Sequence, residues 1–443
     1  MKILAIDIGA GTQDILLYNS KENLENSIKL VLPSPSVQTV ERIKRIKNDL
    51  YIDGEIMGGG KIKREIVNLL NEGYKVAIEK TPAKTIRDDL SQVESLGVEI
   101  VEDYSYEKNL KNSSTTNIKK NNSKTTPKIS PKIDSKINPK IDSKINPKID
   151  PKINSEINPQ IDPKFLKYSK LSFKDLDLDE LSKTISKYEL NYFFDYLAVA
   201  VQDHGYSPKM GDRDFRFEKI REKLKEPMAP EEFAYINNIP EYFTRMKAIE
   251  SNIKNYENYE NYEKNKEENN RNNENENENS KNQINKKFKS IIMDSKFASI
   301  AGAIHDEKIN NLNSFVVIDI GNGHTMATSI ENGLIQGLFE HHTTNLDDKT
   351  GETITNLINK LVDGSLTHEE VHGNYGHGTH ILNPISKLEK VVVTGPRRGI
   401  IKNTDFDYYN ATPGGDVMMT GPVGLIKSIE HHLKKEKKKI EKE

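Results

Sequence analysis

The chain has no cysteine among its 443 residues. That absence excludes disulfides, a cysteine nucleophile and any iron–sulfur cluster held by thiolates. Long apolar runs are missing too. Hydrophobic residues make up 35% of the chain, and no stretch approaches the roughly 20 apolar residues of a membrane-spanning helix. No secretory signal precedes the first apolar segment, so the expected location is cytoplasmic, with no membrane partner. A surplus of one charge is also lacking. The formal net charge is -2, which gives no global field to attract nucleic acid.

Hydrophobic periodicity fails in two stretches. Residues from about 109 to 163 fall into a tetrapeptide repeat, as in Pro131-Lys132-Ile133-Asp134-Ser135-Lys136-Ile137-Asn138. Residues from about 255 to 287 are mostly Asn, Glu, Lys and Tyr. Neither carries enough apolar surface at a helix or strand period to offset the entropy of ordering it, so both read as disordered low-complexity insertions. The lysines of the repeat are diluted by acidic residues and not interleaved with aromatics, which argues for expansion of a loop over a nucleic-acid tether. Roughly 350 residues remain, enough for two domains around one cleft.

What is present is a duplicated motif. Ile6-Asp7-Ile8-Gly9-Ala10-Gly11-Thr12 and Ile318-Asp319-Ile320-Gly321-Asn322-Gly323-His324-Thr325 each follow a β-branched apolar run. Each reads as a strand entering a glycine-punctuated hairpin. One copy alone would be an ordinary tight turn. Two copies suggest a Mg-bound polyphosphate, because an Asp at a strand end, followed by small residues that bare their N–H groups, suits that ligand.

Between the copies, strands are expected at Ile15–Tyr18, Ile28–Leu32, Tyr74–Ile78 and Val98–Val101, with helices at Lys61–Asn71 and Thr85–Ser95. The Met57-Gly58-Gly59-Gly60 turn suits either a ligand cradle or a tight strand-to-helix turn. Leu190–Val201 is apolar and ends in Gln202-Asp203-His204-Gly205, the polar end of a strand or buried helix. A helix over Phe288–Ile304 precedes the second Asp loop. Val391-Val392-Val393-Thr394-Gly395-Pro396 is a strand entering a turn, and a terminal helix covers Val423–His432. Alternating strands and helices point to an α/β fold.

This order resembles the actin, Hsp70 and sugar-kinase ATPase superfamily. The resemblance implies two RNase H-like lobes closing on Mg-ATP, interrupted by the two insertions. The first lobe would occupy residues 1–104 and 165–250, the second 288–433, with insertions at 105–164 and 251–287 and a charged tail at 434–443. It implies that Asp7 and Asp319 hold Mg²⁺, and that Gly9, Gly11 and Thr12, with Gly321, Gly323 and Thr325, contact phosphates. Thr394-Gly395-Pro396 would take the place of the adenosine motif. Gln202 or Asp203 would orient or deprotonate the attacking water or acceptor hydroxyl, unless these residues simply cap a turn. The acceptor, small molecule or protein, is not named by the sequence, and a nucleotide sensor without turnover is the alternative.

More closely, Ile3 to Asp14, Ala198 to Gly205 and Val393 to Arg397 resemble a microbial family labelled as a pyruvate formate-lyase activating enzyme. Activating enzymes of that name hold an iron–sulfur cluster on three cysteines, chemistry this chain lacks the residues for.

A competing pattern is His368-Glu369-Glu370-Val371-His372, within a region holding seven of the eleven histidines. H-E-x-x-H places two histidines on one helix face for zinc, with the Glu as base. Here Thr367 and Glu370 form a capping box and Gly373 ends the helix directly after the second His, leaving it short. His377, His380, His341 and His342 are the remaining candidates for a metal site of non-standard spacing.

Overall fold

The computed structural model describes residues 1–103, 162–188, 193–271 and 288–441. Its strands, in chain order, are β1 Lys2–Ile8, β2 Thr12–Asn19, β3 Ile28–Pro33, β4 Leu50–Gly54, β5 Val76–Glu79, β6 Glu99–Val101, β7 Ser169–Phe173, β8 Tyr196–Val201, β9 Lys289–Asp294, β10 Ser314–Ile320, β11 His324–Glu331, β12 Leu334–His342, β13 Gly378–Ile381, β14 Val391–Thr394 and β15 Tyr408–Asn410. Two sheets repeat one plan. The first has the order β3-β2-β1-β8-β9 and the second β13-β12-β11-β10-β14-β15. In each, the Asp-bearing strand pairs antiparallel with the strand after its turn and parallel with a strand from much later in the chain.

Both faces of the two central strands are buried, which is why they read as continuous apolar runs. Along β1, Leu4, Ile6 and Ile8 join an outer core, while Ile3 and Ala5 join an inner one. Along β10, Val316, Ile318 and Ile320 face outward, and Phe315 and Val317 face the same inner core. The period of two therefore puts Asp7 and Asp319 on the inner face, each at its strand's end.

Two helices fill that inner space. Ser295–Ile304 follows β9, and Thr420–Ile440 follows β15, so they occupy equivalent places in the two halves. They cross at two glycines. A Cβ on Gly302 would lie 1.8 Å from Thr420 O, and one on Gly424 would lie 1.9 Å from Ala298 O. Neither backbone can give way without opening the core. Gly302→Ala is therefore expected to cost about 1–3 kcal/mol, whereas Gly373→Ala, where a Cβ meets nothing within 4 Å, should change stability by less than about 0.5 kcal/mol. Urea denaturation of both variants measures the difference.

The expected α/β character is observed, with several corrections. A third sheet, all parallel and ordered β6-β5-β4-β7, is built between β3 and β8. β7 pairs with β4 although residues 104–161 separate it from β6, so the repeat segment enters within this sheet. The reading of residues 104–161 and 272–287 as disordered lies outside the described residues. Residues 251–271, read as part of the second insertion, continue the helix Thr244–Arg271. The helix expected from Phe288 is instead β9 followed by a helix from Ser295, because Asp294 takes the Lys296 N–H and starts the helix there. The helix expected over Thr85–Ser95 is confined to Leu90–Glu94, with Asp89 as cap. No helix among the described residues is long and apolar enough to cross a membrane.

Candidate functional site

The two Asp turns close in the same way. Gly9 N–H donates to Thr12 O at 2.9 Å, and Gly321 N–H donates to His324 O at 3.0 Å. Asp7, Gly9 and Thr12 are thus equivalent to Asp319, Gly321 and His324. The tips touch: a Cβ on Gly11 would lie 2.8 Å from Asn322 Nδ2. The N–H groups of Ala10, Gly11, Asn322 and Gly323 enter no hydrogen bond among the described residues. Both turns line one cavity of about 490 Å³, within the size range of ligand pockets.

Carboxylates dominate its floor. Asp7 is 7% exposed and Asp319 5%. Burial drives the Asp7 carboxyl well above its ordinary value; the Ser295 hydroxyl offsets part of this, and Asp14 and Asp319 add to it. Asp14 faces Asp7 across the β1–β2 pair and is pushed up to about 7, mainly by burial, with Thr12 opposing and Asp416 assisting. Asp7 Oδ1 and Asp14 Oδ1 are buried without a hydrogen-bond partner among the described residues. Such oxygens are costly unless a proton or cation meets them. Oxygen donors of this kind suit a hard divalent cation.

Cationic and helix-end partners converge on the same floor. Lys296 Nζ donates to Asp319 Oδ2 at 3.0 Å and to His324 O at 2.7 Å. A side chain on Gly321 would meet that ammonium at 2.6 Å, so the glycine is what admits the lysine. Ser295, Lys296 and Thr420 line the cavity from the first turns of the two inner helices. Helix N-termini favour anions by their partial positive charge and bare N–H groups. Gly395, at φ +91°, lies so close to the second turn that a Cβ would come within 2.5 Å of Asp319 Oδ1.

The roof comes from the third sheet's connections. Met57–Gly60 lines the cavity with Arg245 and Asp88. Gly58 lies against the Arg245 guanidinium, where a Cβ would approach Nη2 to 2.8 Å, and Gly59 lies against Thr85 O at 2.7 Å. The triple glycine is thus both a tight turn and part of the cavity wall.

Gln202 and Asp203 leave β8 at the cavity's side, and both line it. Gln202 Nε2 donates to Glu340 Oε1 at 3.0 Å, and its Oε1 lies 3.3 Å from His324 Nδ1. The Asp203 carboxylate accepts the N–H groups of Gly205, Arg245 and Met246, a capping role that starts the helix Thr244–Arg271. Behind them Arg216 is buried between two carboxylates. Its Nη1 and Nη2 reach Asp294 at 2.9 and 3.2 Å, its Nε binds Glu340, and Nη1 also donates to Asp203 O. Burial alone would raise Glu340, but Arg216 and His377 hold it well below the usual carboxylate range.

The structure brings Asp7, Gly9, Gly11, Thr12, Gln202, Asp203, Asp319, Gly321, Gly323 and Gly395 to one cavity. Thr325 is different. It is fully buried, and its hydroxyl meets Thr343 Oγ1, which in turn donates to Gly321 O. Its place is therefore to brace the turn from behind, as the antiparallel register turns it away from the cavity. Sequence reasoning missed Ser295, Lys296, Thr420, Arg245 and Glu340. Asp294 before an apolar helix was a legible cap signal for the first two; nothing local marks the others.

The H-E-x-x-H helix is six residues long, His368–Gly373, capped by Thr367 accepting from Glu370 N–H. His368 meets Arg221 and His372 lies 2.9 Å from Asp214 Oδ1. Neither lines the cavity.

A family described as "Putative pyruvate format-lyase activating enzyme (DUF1786)" matches residues 57–135 and 155–400. The match takes in Gln202, Lys296, Asp319 and Gly395, and not the first turn or the C-terminal helix. No curated protein matches the sequence.

Proposed function

The chain belongs to that family, and we propose that it is a Mg-ATP-binding protein that hydrolyses ATP or passes its γ-phosphoryl group to an acceptor. The observation that carries this reading is the pair of equivalent turns, Gly9–Thr12 and Gly321–His324, meeting across one cavity with an Asp beneath each. The shared strand order of the two sheets supports two RNase H-like lobes of the actin-like ATPase superfamily. The cluster chemistry implied by resemblance to activating enzymes needs a thiolate-held iron–sulfur cluster, and this sequence has no cysteine to hold one.

Asp7 and Asp319 would hold Mg²⁺, chiefly through its waters, since this ion dehydrates reluctantly. When bound, the ion would supply positive charge to offset that of the phosphates. The backbone N–H groups of Ala10, Gly11, Asn322 and Gly323, left without partners among the described residues, would donate to phosphate oxygens, and the Lys296 ammonium at Asp319 would add positive charge. The first turns of the two inner helices add their dipoles. Gln202 lines the cavity and would orient the nucleophile, while Asp203 fixes the loop that carries it.

Gln202 is already hydrogen-bonded at both ends of its amide. That observation favours, as a second reading, a nucleotide sensor with little turnover. Phosphate release from Mg-ATP separates the two. An enzyme gives steady release that Gln202→Ala lowers by about 100-fold or more. A sensor binds ATP and releases no phosphate, and a protein that does neither overturns both readings.

A further inference from the structure

A second feature of the cavity stands apart from the nucleotide reading. Three imidazoles from distant parts of the chain meet at its side: His204 after β8, His324 at the start of β11, and His377 just before β13. One ring nitrogen from each lies within 4.8 Å of the other two. The ring centroids are 5.3 Å apart for His204 and His324, 5.0 Å for His204 and His377, and 4.7 Å for His324 and His377. Nitrogens bound at about 2 Å around a tetrahedral ion sit roughly 3.3 Å apart, so modest ring rotations complete the approach.

The surroundings match what metal-binding imidazoles require. His204 Nε2 is buried with no hydrogen-bond partner among the described residues, a cost that a ligated ion would remove. His324 Nδ1 lies 3.3 Å from Gln202 Oε1, and His377 Nδ1, 3.4 Å from Glu340 Oε1, is buried with no hydrogen-bond partner among the described residues. The partner on His324 Nδ1 fixes that ring's tautomer and presents its Nε2 to an ion, while His204 Nε2 and His377 Nδ1 are the buried nitrogens an ion would satisfy. Glu340 is itself held by Arg216 and Gln202, which makes it an orienting group behind the ligands. His342 pairs with His324 across β11–β12, with its ring 4.8 Å away, but lies outside the converging group of three.

We propose that His204, His324 and His377 form a site for a divalent transition metal ion. Three neutral imidazoles with one position left open are the donor set of zinc sites that keep a water or substrate ligand. Other first-row ions compete for such nitrogen donors. His204 and His324 line the cavity, so the open position faces it and would take a water or an anionic oxygen. His204 follows a strand of the first sheet and His324 begins one of the second, so the ion would also tie the two halves together. This site is distinct from the Asp7 and Asp319 pair, which offers oxygen donors suited to Mg²⁺.

The test is cobalt titration of the full, untagged chain without nucleotide, followed by displacement with Zn²⁺. One equivalent of Co²⁺ should bind with visible absorption of tetrahedral intensity, and Zn²⁺ should bleach it. His204→Gln and His377→Gln should each weaken binding by about 100-fold or more, while His368→Gln leaves it unchanged. No cobalt absorption in the wild type overturns the proposal, whatever the variants do. So does loss in His368→Gln with retention in His204→Gln, which would put the ion on the H-E-x-x-H helix. Because no nucleotide is present, the outcome is independent of whether the protein binds ATP.

Discussion

Replacing Arg216 with Met is expected to lower the free energy of unfolding, and so the stability, by about 3–5 kcal/mol. The Arg216 side chain is 4% exposed, and its two partners, Asp294 and Glu340, are 9% and 0% exposed. Removing the guanidinium leaves two buried carboxylates without their cation, and that desolvation cost outweighs any gain from an apolar side chain. Asp294 ends β9 and Glu340 lies in β12, so the same change removes a polar link between the two sheets. Urea denaturation of Arg216→Met reads the loss, and adding Asp294→Asn and Glu340→Gln should recover part of it. An exposed pair such as Lys360 with Glu370 should contribute no more than about 1 kcal/mol by the same measure. A loss that small for Arg216→Met would show that the guanidinium is not what compensates the two buried charges.

Gly421→Ala should abolish most Mg-dependent nucleotide affinity without removing a charge or a hydrogen-bonding group. Gly421 lies in the first turn of the C-terminal helix, where alanine would ordinarily stabilise by up to about 1 kcal/mol. Here the added Cβ would lie 1.9 Å from Asp7 Oδ2 and 2.6 Å from its Cγ. The clash reaches Asp7 Cβ at 2.8 Å, so moving only the carboxylate tip does not relieve it. Asp7 must leave its place above the inner core. A displacement of this order at a positioned group costs on the order of 100-fold. Gly399→Ala, with nothing within 4 Å of the added carbon, should bind as the wild type does. Equal binding by both variants would remove Asp7 from the ligand site.

The parts of this site that were legible in the sequence are those encoded locally. An apolar run, an Asp and a Gly-x-Gly turn specify each hairpin, and the period of two then settles that Asp7 and Asp319 share the inner face. The start of the short H-E-x-x-H helix was equally readable, since Thr367 takes the Glu370 N–H; its end falls one residue later than expected, with Gly373 inside the helix and Asn374 as its C-cap. β9 was read as helix because Ile291-Ile292-Met293 is an apolar run too short for its period to decide. That error hid Lys296, whose importance comes from standing in the first turn after Asp294. The third sheet was obscured for a different reason: β4 and β7 pair across residues 104–161, which no local pattern connects. His204, His324 and His377 have no common spacing. They meet only because β8, β11 and the β12–β13 edge end at one side of the cavity.

The central claim, that the two Asp turns grip a magnesium nucleotide, is tested most directly by calorimetric titration of ATP into the full chain. The titration is run with Mg²⁺ and with chelator, on the wild type and on the Asp7→Asn/Asp319→Asn double variant. The account predicts one nucleotide per chain, binding that depends on Mg²⁺, and its loss in a double variant that remains folded. Absence of binding in the wild type, or binding indifferent to both the ion and the two substitutions, would contradict it.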